Sequence, residues 1–270
     1  MRVLITGGTG ALAREIIALG GTLNASLRLT SRHRPTGDSP TGDSPTGDPR
    51  PLDWAAADLV TGEGLSDAVR DVNAVIHTAS DFRRSHLVDV KGTQRLLDHC
   101  GKAGVEHLIY VSIVGIDQIP YRYYQDKLVA ERLVESGPVP FTILRATQFH
   151  SLIDQQLTAA ARFPAVMPLP VRFRFQSIAT RDVAARLVHL VLEGPAQHAP
   201  DLGGPEIFSL GDAARAWKSA TGITKRVLPI FVPGKTAAGF RAGKNTVASG
   251  VRGTISWREW LAQRYLLKRE

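Results

Sequence analysis

The sequence predicts an α/β protein built on a doubly wound parallel sheet. Two observations carry this: apolar runs of strand length alternate with segments of helical period, and the first strand ends in a glycine-rich turn that opens a helix. No segment approaches eighteen uninterrupted apolar residues, so no membrane span is expected. Strands that alternate with helices lie side by side in parallel and are covered on both faces.

The elements follow in order. "RVLIT" (2–6) is a continuous apolar run of the buried-strand kind, and "ALAREIIALG" follows with helical spacing and stops at Gly20-Gly21. "SLRLTS" (26–31) reads as the next strand. "TGDSPTGDSPTGDP" (36–49) is a tandem repeat of Thr, Gly, Asp, Ser and Pro with nothing apolar to bury, so a mobile surface loop is expected there. "AVIH" (74–77), a helix over 86–103, "HLIYVS" (107–112), a helix carrying Tyr123 and "FTILRA" (141–146) continue the alternation.

At 270 residues, 43% hydrophobic and 21% charged, the chain fits one large globular domain, or one domain with a small appendage. The single cysteine, Cys100, excludes an intramolecular disulfide and any multi-cysteine metal site. His77, His86, His99 and His107 lack a ligand spacing backed by acidic neighbours, so no metal is expected. The N-terminus enters a strand without a charged leader, so no export signal is expected and a cytoplasmic location fits. A net charge of +8 would suit an anionic ligand, but the arginines are scattered without interleaved aromatics, which argues against nucleic acid.

Chemistry concentrates at the first strand–helix junction, "TGGTGALA" (6–13). Gly7 and Gly10, with Ala13 three further on, match the dinucleotide fingerprint in the context it requires. Gly7 permits the tight turn, Gly10 lets a pyrophosphate approach the backbone, and Ala13 lets the helix pack closely on the strand. The helix N-terminus then faces the phosphates with its partial positive charge. An NAD-preferring site would carry Asp or Glu at the end of the second strand. Here "TSRHR" offers Ser31, Arg32 and Arg34 to a 2′-phosphate, so NADP is favoured, with NAD the alternative.

In "PYRYYQDKLVAERL" (120–133), Tyr123 and Lys127 stand four apart and share a helical face. A free phenol titrates near pKa ~10, too high for efficient proton transfer at neutral pH. A cation about 4 Å away favours the phenolate by up to roughly 4 kcal/mol at an effective dielectric of about 20. Glu131, four residues beyond Lys127, is the rival partner, and a surface pair between them would contribute only a few tenths of a kcal/mol.

Taken together, "TGGTGALA", Asp58-Leu59, "VIHTAS" (75–80), "DVKGTQRLL" (89–97), "YVSIVGID" (110–117), "YRYYQDK" and "FTILRATQFH" (141–150) resemble the atypical or extended short-chain dehydrogenase/reductases of the NmrA-like branch, over nearly the whole chain. The resemblance implies a Rossmann-type domain over 1–146, with 171–193 returning to the sheet, and a smaller interleaved substrate-side lobe over 147–270. It implies that Gly7, Thr9, Gly10, Ala11 and Leu12 hold the cofactor phosphates, Asp58 and Leu59 the adenine, and Thr78, Ala79 and Ser80 the cofactor beyond the fourth strand. Lys127 would bind the nicotinamide ribose and support Tyr123 as general acid/base. Ser112 would hold the substrate oxygen, unless Ile113 occupies that working position. Gln148 and His150, at the end of the sixth strand, would line the substrate pocket. The activity implied is NADP-dependent hydride transfer to or from a small carbonyl, quinone or alcohol; the alternative is a non-catalytic NADP-sensing regulator that acts through a protein partner. A homo-oligomer is left open.

Overall fold

The computed structural model describes residues 1–32 and 52–266. Arg34 and the 36–49 repeat lie outside the described residues. In chain order the elements are β1 (Arg2–Thr6), α1 (Ala11–Ala18), β2 (Ser26–Ser31), β3 (Asp53–Ala56), α2 (Leu65–Ala68), β4 (Ala74–His77), a π-helical segment His86–Gly92 that runs into α3 (Thr93–Ala103), β5 (His107–Ile113), α4 (Arg122–Glu135) and β6 (Phe141–Ala146). After β6 come α5 (His150–Ala161), α6 (Thr180–Glu193) and α7 (Leu210–Thr221), with short strands between and beyond them.

The chain divides into two compact units. The first comprises Met1–Ser112, Arg122–Leu144 and Ala184–Ala199. Its strands lie in the order β3-β2-β1-β4-β5-β6, and Gln197–His198 adds to β6. β1 pairs in parallel with β2 on one side and β4 on the other, in the registers Leu4↔Arg28 and Leu4↔Val75. This is the Rossmann order, in which the strand sequence reverses between β1 and β4 and opens a crevice beyond their carboxyl ends. The apolar run of β1 reads as it does because both of its faces are covered: Val3, Leu4 and Ile5 are fully buried. Below the sheet, Leu4, Val75, Leu96, Leu97, Leu108 and Val134 belong to one core cluster that joins β1, β4 and β5 to α3 and α4.

The helix expected over 86–103 is present, but its first seven residues wind as a π-helix. The wider turn lets three consecutive residues, Val88, Asp89 and Val90, all be buried, which a regular amphipathic turn would not allow. Gly92 closes it where a Cβ would stand 2.9 Å from the Leu59 side chain.

The second unit comprises Ile113–Tyr121, Arg145–Val183 and Pro200–Glu270. Ile153, Leu157, Met167, Leu210, Trp217 and Trp257 form its core. Asp154 ties its C-terminal turn to α5, accepting hydrogen bonds from Trp217 Nε1 at 2.7 Å and Tyr265 Oη at 2.6 Å, with Arg264 Nε at 3.0 Å. Of the 171–193 stretch expected to return to the sheet, Ala184–Glu193 belongs to the first unit, whereas upstream only Arg174–Phe175 is strand, and it pairs antiparallel with Phe208–Ser209 in a separate two-stranded ladder. The physical reason is Gln176. Its buried amide donates to Gly204 O at 2.8 Å and accepts from Val247 N at 2.7 Å, so a side chain takes the bonds a longer ladder would have made. No described helix is long and apolar enough to cross a membrane.

Candidate active site

The turn after β1 is built for close approach. Gly7 adopts φ +69°, and a Cβ there would lie 3.0 Å from Ala79 Cα, so only glycine fits between the two loops at the switch point. α1 begins at Gly10 without a side-chain cap. Thr9, Gly10 and Ala11 are exposed, whereas Leu12 and Ala13 pack inward. An uncapped helix start on an exposed glycine turn is a cradle that suits the pyrophosphate of a dinucleotide.

A chain of buried hydrogen bonds fixes this cradle against the end of β4. Thr6 Oγ1 accepts from Thr78 N and Ala79 N, each at 3.2 Å, and Thr78 Oγ1 donates to Thr6 O at 2.6 Å. With both bonds accepted, the Thr6 hydroxyl proton is left for His77 Nδ1 at 2.7 Å, so His77 donates through Nε2 to Thr93 Oγ1 at 2.9 Å. Burial pushes the His77 pKa down to about 3, consistent with a neutral imidazole that bridges Thr6 and Thr93. The sequence reading missed this role. The signal was present, since His77 ends an otherwise apolar strand.

Of the residues expected at the 2′-phosphate, Ser31 ends β2 half-buried and Arg32 follows it exposed. Asp58 caps the turn after β3, where its Oδ1 accepts from Val60 N at 2.7 Å, and Leu59 packs partly against the core.

Tyr123 and Lys127 project from α4 toward different partners. Tyr123 Oη stands 2.8 Å from Ser80 Oγ, and Ser80 Oγ donates to Asp89 Oδ1 at 2.6 Å. Lys127 is buried, donates from Nζ to Val111 O at 2.8 Å, lies 3.6 Å from Asp89 Oδ1, and sits over the Tyr110 ring at 4.1 Å. Burial lowers the Lys127 pKa, while the nearby Asp89 and Glu131 carboxylates push it back up. Glu131, the rival partner for Lys127, is thus a buried neighbour and not a surface one. Phe82 meets the Tyr123 ring edge-on at 5.4 Å and is itself exposed. Tyr123, Ser80, Asp89 and Lys127 therefore form one connected group. Asp89 was not singled out in the sequence, although it lies on the same helical stripe as Thr93, Leu96, Leu97 and Cys100, where a carboxylate needs a buried partner.

Ser112 is buried on β5, and its Oγ has no hydrogen-bond partner. Gln148 and His150 belong to the second unit. Gln148 Oε1 accepts from Asn245 Nδ2 at 3.0 Å. His150 donates from Nε2 to Ile255 O at 3.0 Å, which leaves Nδ1, at 2.7 Å, to accept from Ser177 Oγ.

An NAD(P)H-binding family model matches residues 7–193, from the glycine turn to the end of α6. The chain belongs to that family. A photosystem II assembly factor of Trieres chinensis is 23% identical over 180 residues, which is 63% of this chain and 52% of that protein. A 3-beta-hydroxysteroid dehydrogenase of Mycolicibacterium neoaurum is 26% identical over 163 residues, 49% of this chain and 42% of that one. The chain thus spans about half the length of these curated relatives. Among solved structures, an NADPH-dependent quinone oxidoreductase of Escherichia coli, in complex with NADPH, superposes with a TM-score of 0.78 over 97% of this chain and 99% of its own at 17% identity, a likeness of fold. This family membership and this fold agree with the resemblance to the short-chain dehydrogenase/reductases, and they make NAD(P)H the cofactor class.

Proposed function

We propose that the protein is an NADP-dependent oxidoreductase acting on a small carbonyl, quinone or alcohol. Tyr123 is the general acid/base, and Lys127 is its neighbour in the site. The observation that carries this reading is the hydrogen bond from Tyr123 Oη to Ser80, which brings the hydroxyl to the end of β4 beside the glycine turn. In this reading Gly7, Thr9, Gly10, Ala11 and Leu12 hold the phosphates, Asp58 and Leu59 the adenine side, and Arg32 the 2′-phosphate. Thr78, Ala79, Ser80 and Lys127 face the nicotinamide half, and Ser112, Gln148 and His150 are candidates on the substrate side. The cofactor, when bound, supplies the hydride. Tyr123 supplies or takes the proton, and Thr6 and His77 keep the two loops at a fixed spacing around it.

The substrate class is supported by the names of the quinone oxidoreductase and the hydroxysteroid dehydrogenase that the chain resembles. NADPH oxidation across a panel of carbonyls and quinones tests the reading: consumption dependent on one class of acceptor is expected. Tight NADPH binding with no turnover on any acceptor would contradict it. A second reading, an NADP-sensing regulator, is favoured by the burial of the Ser112 hydroxyl without a partner and by the likeness to an assembly factor. In that case binding would change affinity for a partner protein without consuming NADPH.

A further inference from the structure

Lys127 does not face Tyr123 as a lone cation. Asp89, whose side chain has 0% exposure, lies 3.6 Å from the ammonium, and the same Oδ1 accepts from Ser80 at 2.6 Å. A carboxylate only accepts hydrogen bonds, so the single Ser80 proton goes to Asp89, and Ser80 Oγ at 2.8 Å can only accept from Tyr123. A phenol can use that lone pair and a phenolate cannot. The carboxylate also cancels the field by which an uncompensated ammonium would favour the phenolate.

We propose that Asp89 is a positioning residue that, through Ser80, holds Tyr123 protonated, so that the site is built to give a proton to a substrate oxygen. This deepens the oxidoreductase reading and rests on it. In the step itself the Tyr123 O–H bond breaks, its electron pair stays on the phenolic oxygen, and the proton forms the new O–H bond of the substrate; water then reprotonates Tyr123. The charged and titratable groups packed about the cluster are Asp89 on the π-helical segment, Lys127 and Glu131 on α4, Tyr110 on β5 and His77 on β4. The Asp81–Arg84 pair lies on the loop after β4, and Asp126 binds Ser85 and His86.

Ultraviolet titration of tyrosinate tests this without any substrate. The chain has five tyrosines, and the difference between wild type and Tyr123→Phe isolates one. In Asp89→Asn the Tyr123 midpoint should fall by about one pH unit, because the ammonium is released and Ser80 is free to donate to phenolate. Ser80→Ala keeps the buried ion pair, and so remains readable if the Asn variant folds poorly. It should lower the midpoint by less, through loss of the acceptor for the neutral phenol alone. Midpoints that stay at the wild-type value or rise in the folded variants overturn the proposal. Wild-type turnover in Tyr123→Phe would instead overturn the oxidoreductase reading, and with it the catalytic half of this inference, whatever the titration shows.

Discussion

Lys127 shows how much one residue's meaning depends on what its neighbours bring. Its spacing from Tyr123 was legible because i and i+4 share a helical face, and the structure keeps both on α4. Its ion pair with Asp89 was not legible, because Asp89 reaches it from another element 38 positions earlier in the chain. Removing one member of a buried pair leaves the other charge uncompensated, which costs about 3–5 kcal/mol. Lys127→Met should therefore lower the denaturation midpoint markedly, and Lys127→Met/Asp89→Leu should recover part of the loss. Urea unfolding of both variants checks this, and a double variant no more stable than the single one would contradict the coupling of the two charges. At the cofactor end, Arg32→Ala should narrow the preference for NADP(H) over NAD(H) several-fold, since Arg32, proposed to meet the 2′-phosphate, is exposed and is the only described cation of the "TSRHR" motif. Calorimetry with both dinucleotides measures it; a wild-type preference for NAD would overturn the reading of that motif.

At the scale of elements, the strands of the first unit were readable from apolar runs, since strands covered on both faces show no alternation to confuse them. The π-helical start of the 86–103 helix was not readable, because its cause is tertiary: Gly92 against Leu59 and three consecutive buried residues. The short ladders of the second unit were equally hidden, since two-residue strands carry no period. Helix starts there do carry a signal. In α7, Ser209 accepts from Asp212 N and Asp212 accepts from Ser209 N, a capping box that the sequence spells three residues apart. The bonds from Ser209 also hold the Asp212 carboxyl below its usual value. Ser209→Ala should cost about 1 kcal/mol, read as a lower urea midpoint with an unchanged slope; no loss would mean that α7 is held by its Trp217 face alone.

At the scale of the molecule, the buried histidines make stability sensitive to acid. Burial lowers His77 to about 3 and His107 and His150 to about 4. In the unfolded chain each takes a proton near 6.5, so the unfolded state binds more protons below that pH and stability rises with pH there. The stability these neutral imidazoles contribute is whole above about pH 6.5 and is lost as the pH falls toward 4. For His150 alone this amounts to roughly 3 kcal/mol once both values are passed. The melting temperature should therefore drop by several degrees between pH 7 and pH 5, and NMR should show these rings neutral at pH 5. Imidazole midpoints near the free value would contradict the burial.

The fold class was legible because alternation and the glycine turn both report the parallel sheet, whereas the catalytic assignment depends on the side-chain cluster that folding brings to the end of β4. The most direct measurement is the turnover of Tyr123→Phe on an accepted carbonyl or quinone with NADPH. The substitution removes one hydroxyl and leaves the ring against Phe82, so NADPH affinity should persist while kcat falls by roughly 10²–10⁴, the share of a general acid. A variant that binds NADPH as before and keeps wild-type turnover would show that Tyr123 moves no proton and that the site works by another route.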